Sequence, residues 1–457
     1  MAPPMSEATV SEGSAGFDIV PHGHKDLVQA IAFNAYGDRC ATGGVDGKIR
    51  VFNRHRDGVW RLCDNWAAHG GEILELQWLP PTVYPNLIAS LGIEGRFKLW
   101  AEDPSAAPGR RFSSRPANGK AIPELRSTQQ PYRSFSVKHD EVTRNTWFAL
   151  LATDGRASVF ESEEPEMLAE YGKIDEFQAL PKPSRGEETC FRIRFDPNPE
   201  PCYRALRAGV PQDALGLVVS GLQTVKIFRT RDTVRTSLGV ATRAREFYLA
   251  LEIQAHKHLV RDVAWAPGNY RGYDMIATAC QDGFVRVFRI DTPYPEDDGK
   301  TWSVEDITST SGGGGKAAAG ASTGGGGDNN NAAAAAAAAA TSSTSSSSAP
   351  TGHQPPHPRR PSSQAPSGIR VEMDKSAAHL ERTYTGQPGQ VEHTWRELSR
   401  LDAHRTPVWR VGFDDDGQIL GSVGDEGTLM CYRQLPSGAW AKSSELGMMK
   451  TRMAGPV

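Results

Sequence analysis

The chain has 457 residues, of which 38% are hydrophobic, 8% aromatic and 23% charged, and its formal net charge is −3. That balance excludes a dominant basic surface for generic nucleic-acid binding, and no apolar run reaches the roughly 18 residues that read as a membrane span. Six scattered cysteines (Cys40, Cys63, Cys190, Cys202, Cys280 and Cys431) form no C-x-x-C pair and read as reduced thiols, so no metal and no cofactor is expected.

Residues 1–20 are a polar tail whose last four, 17–20, are the only stretch there able to act as a strand. A repeated frame then begins, which calls for a reading by internal period. In the first unit His24 is followed by Val28, Ile31 and Phe33, then by Thr42, Asp46, Gly47 and Phe52. The second runs His69, Ile73, Leu76, Trp78, Ser90, Glu94, Gly95 and Trp100, with a polar insertion at 103–126. A third, degenerate unit keeps Asp154-Gly155 and Phe160 but has Leu150 at the hydroxyl position. The fourth keeps Phe191, Ile193, Phe195 and Phe228, has Leu222 at the acid position, and carries a polar insertion at 230–245. The fifth restores the full spacing with His256, Val260, Val263, Trp265, Thr278, Asp282, Gly283 and Phe288.

From 291 to 391 the composition turns to Gly, Ala, Ser and Pro, with alanine throughout 332–340. Such a stretch buries too little apolar surface to offset its ordering entropy and is expected to be disordered. Gly315-Lys316 is followed by alanine and lacks the remainder of a phosphate loop. The sixth unit follows with His404, Val408, Val411, Phe413, Ser422, Glu426, Gly427 and Tyr432, and residues 438–442 supply an outer strand. The expected division is a tail (1–20), units one to five (21–290), the insert (291–391), unit six (392–445) and a second tail (446–457).

In each complete unit an apolar pair two residues apart alternates with small or polar residues, the period of a strand with one buried face. The acid-glycine pair between the second and third strands signals a two-residue hairpin. A histidine ahead of the first strand can reach the acid in that turn, and the hydroxyl and an indole N–H extend the network, so His24–Thr42–Asp46, His69–Ser90–Glu94–Trp100, His256–Thr278–Asp282 and His404–Ser422–Glu426 are expected to be structural. Each set belongs to a different unit, which argues against one catalytic or metal centre. The densest acid cluster, 414–416, reads as a solvated hairpin beside Gly417.

This frame resembles the WD40 repeat, with the Trp-Asp dipeptide replaced by Val51-Phe52, Leu99-Trp100, Ile227-Phe228 and Cys431-Tyr432. The stretches at 24–42, 66–102 and above all 256–267 further resemble the Seh nucleoporins, Sec-thirteen homologues of the Y-shaped nuclear pore scaffold, and the long insert resembles their fungal members. The resemblance implies an all-β, six-bladed WD40 propeller that is left open and completed in trans by a blade from the N-terminus of a helical-solenoid nucleoporin. It implies a non-catalytic scaffold at the nuclear envelope that meets other Y-complex subunits and also serves the SEA/GATOR complex of nutrient signalling at the vacuole or lysosome periphery. Edge-strand addition is the expected mode of docking. The expected contact residues are Val28, Ile31 and Phe33 of unit one and Trp409, Val411 and Phe413 of unit six, all six equally at home as inner-strand core. Residues 17–20 remain an alternative closing strand. A vesicle-coat propeller of the Sec-thirteen type and a closed peptide-reading WD40 adaptor are the competing readings.

Overall fold

The structure is a computed structural model, which describes residues 20–114, 124–162, 171–237, 240–293, 385–387, 389–402 and 404–447. The sequence readings at 17–19 and over most of the insert lie outside those residues.

Turn signals every eight to twelve residues favour short antiparallel strands, and the described chain folds into six sheets, each built from strands consecutive in sequence. The first holds β1 (Val28–Phe33), β2 (Arg39–Gly44), β3 (Lys48–Arg54) and β4 (Trp60–Ala67). The second holds β5 (Ile73–Trp78), β6 (Leu87–Gly92) and β7 (Arg96–Glu102), and its outer edge is split between β8 (Phe112–Ser113) and β9 (Leu125–Arg126), both paired with β7. The third contains β10 (Tyr132–His139), β11 (Thr146–Ala152), β12 (Arg156–Ser162) and β13 (Gly172–Gln178). The fourth contains β14 (Arg192–Phe195), a short helix α1 (Tyr203–Arg207), β15 (Gly216–Gly221), β16 (Thr224–Ser237) and β17 (Val240–Ile253); the insertion at 230–245 is thus the far end of a long β16–β17 hairpin. The fifth contains β18 (Val260–Trp265), β19 (Asp274–Cys280), β20 (Phe284–Asp291) and β21 (Thr394–Asp402). The sixth contains β22 (Val408–Phe413), β23 (Ile419–Gly424), β24 (Thr428–Gln434) and β25 (Trp440–Gly447).

Two sequence expectations need correction. The stretch after residue 392 does not open the sixth unit: β21 pairs with β20 through Asp291↔Thr394 and Phe284↔Asp402, so the insert lies within the fifth sheet. The frame itself explains this, because each histidine stands ahead of an innermost strand and the outer strand of the preceding sheet comes just before it. The acid-glycine hairpins are also longer than expected. Val45, Asp46 and Gly47 separate β2 from β3, a three-residue loop in which Gly47 takes a φ of 70° and closes a turn onto Gly44. A Cβ at Gly47 would collide with the backbone carbonyl of His69, so glycine is required on two grounds. Only the degenerate fourth unit has a two-residue turn, and there Leu222 itself adopts a φ of 54°.

The sheets pack face to face. Five apolar cores join the first sheet to the second, the second to the third, and so on to the sixth. The innermost strands follow the same order, β1 against β5, β5 against β10, β10 against β14, β14 against β18 and β18 against β22. Among the described residues no core joins the sixth sheet back to the first. The architecture is a six-bladed β-propeller with one seam left unpacked.

Candidate functional site

The hydrogen-bonded frames hold the hairpins in place. His24 Nδ1 lies 2.9 Å from Asp46 Oδ1 and its Nε2 2.9 Å from Thr42 Oγ1. His69 contacts Glu94 at 2.6 Å and Ser90 at 2.8 Å, and Trp100 Nε1 donates to Ser90 Oγ at 2.8 Å. His404 bonds Glu426 and, at 2.6 Å, Ser422, whose hydroxyl lies 3.1 Å from the Tyr432 phenol, so tyrosine takes the indole's place.

The fifth frame is different. Arg286 pairs with both oxygens of Asp282 at 3.3 and 2.5 Å, which leaves His256 with Thr278 at 3.4 Å and the guanidinium itself. Burial lowers His24 and His69 below the ordinary imidazole value despite the carboxylates beside them. Burial and Arg286 together push His256 down to about 4. Burial works to raise the Asp46 carboxyl, but hydrogen bonds from His24 and the Lys48 N–H outweigh it and its pKa is lowered. The four sets stand in different sheets and converge on no common site.

The unpacked seam is the feature that calls for a function. In every complete unit the seventh and ninth residues after the histidine face the preceding sheet. Val263 and Trp265 do so in the fifth unit and are 1% and 5% exposed within the core shared with the fourth sheet. The first sheet has no predecessor, and there Ile31 is 60% and Phe33 55% exposed, with Leu62 uncovered on the same face. Phe33 meets the ring of Trp60 edge-on, with ring centroids 5.9 Å apart.

The opposite bank is the other face of the sixth sheet. Its cross-strand row Val423–Leu429–Leu446 matches Ala279–Val285–Leu401 of the fifth. The fifth-sheet row is buried, whereas Val423 and Leu446 are exposed and Leu429 half-buried. Between them Gly412 stands opposite Gly421, making a smooth strip on which a Cβ at either position meets nothing closer than ordinary van der Waals contact. A cavity of about 920 Å³ takes in this seam and the central channel among the innermost strands, with lining from β1 and β22 and also from β5, β10, β14 and β18. Adjacent uncovered apolar rows of this kind mark an interaction surface.

The expected contact residues divide accordingly. Val28, Ile31 and Phe33 face the seam and are exposed. Val411, only 8% exposed, belongs instead to the core of the fifth and sixth sheets, with Phe413 packed against it. The reason is that unit six presents to the seam the face its frame leaves unmarked. Trp409 is exposed, but its ring lies under Arg261 at 4.3 Å and its indole N–H bonds Asp425. Both sheets beside the seam have four strands and turn apolar faces toward it. Val423, Leu429 and Leu446 were missed, although their spacing matches the buried fifth-unit row and could have revealed them.

The sequence profile of the WD domain, G-beta repeat family matches residues 18–53, 248–289 and 395–433. The chain is 50% identical to nucleoporin SEH1 of Chaetomium thermophilum, covering 96% of both chains. It is 29% identical to nucleoporin SEH1 of Saccharomyces cerevisiae over 59% of this chain and 68% of that protein. Nucleoporin seh1 of Schizosaccharomyces pombe is 23% identical over 59% of this chain and 70% of its own length.

Proposed function

Because the chain belongs to the nucleoporin SEH1 family, we propose that it is a non-catalytic scaffold subunit of the nuclear pore Y complex whose open seam receives a β-blade from the N-terminus of a helical-solenoid nucleoporin. One observation carries this reading: positions of the repeat frame that are core at the fourth–fifth junction, Val263 and Trp265, become exposed Ile31 and Phe33 at the seam. Covering such a side chain fully contributes about 1.5–3 kcal/mol each, and a seventh sheet laid between the sixth and the first would cover both rows. Further Y-complex subunits would then be reached through the solenoid. The same seam would dock the corresponding blade of a SEA/GATOR subunit at the vacuole or lysosome periphery, as the family resemblance implies.

The test is co-expression with the N-terminal blade of the solenoid nucleoporin from the same organism. A stoichiometric complex through gel filtration is expected. A stable monomer that ignores the blade would overturn the proposal.

A further inference from the structure

Five of the six innermost strands begin with a β-bulge or register shift, or directly after one, that turns one side chain toward the central channel. In chain order the residues following the shift are Ala30, Glu75, Ser134, Asp262 and Arg410. In the fourth sheet Arg192 opens β14 at the matching place, with Arg194 two residues on. These side chains form one charged belt across the second to sixth sheets.

Within the belt both carboxylates already stand beside arginines. Glu75 accepts from Arg192 at 2.9 Å, Arg194 at 3.1 Å, Ser134 Oγ at 3.1 Å and the Phe135 N–H at 2.8 Å. Asp262 pairs with Arg192 at 3.4 Å and accepts the Val411 N–H at 3.2 Å. Three guanidiniums therefore face two carboxylates, and Arg410 is the one left over. Among the described residues its only hydrogen bond is to the carbonyl of Trp409. Its accessible surface opens into the seam cleft, beside Gly412 and across from Val28 and Ile31. On the far bank the belt position is Ala30, which offers it nothing.

We infer that the sheet filling the seam brings an aspartate or glutamate on its innermost strand to pair with Arg410 and complete the belt. This rests on the seam being the docking site, and it adds the chemistry of the occupant: an innermost strand with a carboxylate on its channel side and apolar residues on both faces. The cleft walls and then the nearby Arg192 lower the pKa of Arg410, and a carboxylate brought beside it would form a charge-assisted hydrogen bond. Glu75 and Asp262 already face Arg192 and Arg194.

The experiment measures binding of the solenoid nucleoporin's N-terminal blade to the full chain, wild type against Arg410→Ala, Arg410→Glu and Arg410→Lys, with Arg400→Ala as an exposed control. Arg410→Ala should weaken binding by roughly 30-fold or more, the lower end for losing one member of a buried charge pair, and Arg410→Glu further still. Arg410→Lys should retain most of the affinity, and Arg400→Ala should match wild type. A second arm leaves this chain unaltered and changes each carboxylate of the blade's innermost strand to its amide. One such change should reproduce the Arg410→Ala loss, and its change to lysine should restore binding to Arg410→Glu. If wild type binds but neither the Arg410 variants nor any amide weakens it, the inference falls and the seam reading stands. If wild type does not bind, both fall.

Discussion

Thr292 Oγ1 and His393 Nδ1 lie 2.7 Å apart although 101 residues separate them in sequence. Arg229 Nε donates to the other ring nitrogen, Nε2, at 3.0 Å, so the neutral imidazole carries its proton on Nδ1 and donates it to the threonine. Burial first, then Arg229, hold this histidine well below its usual pKa. The pair clamps the two ends of the insert where β20 and β21 come together.

A chain lacking residues 312–348 should therefore fold as the full chain does. Its melting temperature should stay within about 2 °C, because the ends are fixed by Asp291↔Thr394 pairing and loop-closure entropy changes slowly with length. Partner binding should be equal as well. Calorimetry and a titration check both, and a large loss in either would show that the insert takes part in the fold or the interface.

Ile31 and Val263 occupy one position of the frame but should respond differently to truncation. Val263→Ala removes a methyl-bearing side chain from a closed core and should cost about 2 kcal/mol. Ile31→Ala should leave the stability of the free chain within about 0.5 kcal/mol, as for other surface changes, while weakening the complex. Chemical denaturation with and without the partner blade separates the two effects.

Gly412→Trp should fill the smooth strip of the sixth sheet. Its built Cβ meets no atom within 4 Å, so the free chain should melt as wild type does. The indole would occupy the place of the incoming sheet, and binding should fall by about tenfold or more, a loss on the scale of a misfit in a packed interface. Unchanged affinity would place the partner elsewhere.

The lowered pKa of His256 gives a stability term with a definite sign. The unfolded chain, with an imidazole value near 6.5, takes up a proton before the folded one, whose value is about 4. Stability is thus fully present above pH 6.5 and is lost as pH falls toward 4. Between pH 7 and 5 the loss from this group should be about 2 kcal/mol. His256→Gln should flatten the stability profile in that window by a similar amount relative to wild type. Parallel profiles for the two proteins would contradict the assignment.

Much of this arrangement was legible in the sequence because it is local. His69, Ser90, Glu94 and Trp100 sit at fixed offsets in one unit, so their hydrogen bonds follow from spacing alone. The seam was half legible. Ile31 and Phe33 carry the frame's apolar marks, yet Val411 and Phe413 carry the same marks and are core, because the direction in which a marked face looks depends on which neighbour the chain supplies. The channel belt was not legible. Glu75, Asp262 and Arg410 read as polar interruptions of apolar strands, and only the bulges, which leave no pattern of their own, turn them toward one another.

Hydroxyl-radical footprinting of the chain alone and with the solenoid nucleoporin's N-terminal blade tests the central claim most directly, since it reads side-chain exposure residue by residue. In the free chain Ile31, Phe33, Leu62 and Leu446 should label readily and Val263 and Trp265 hardly at all. On binding, those four should lose their labelling together while exposed Tyr36 and Val142, outside the facing rows, keep theirs. Protection of Ile31 and Phe33 in the free chain would mean the ring closes on itself, and undiminished labelling in the complex would mean the partner binds away from the seam.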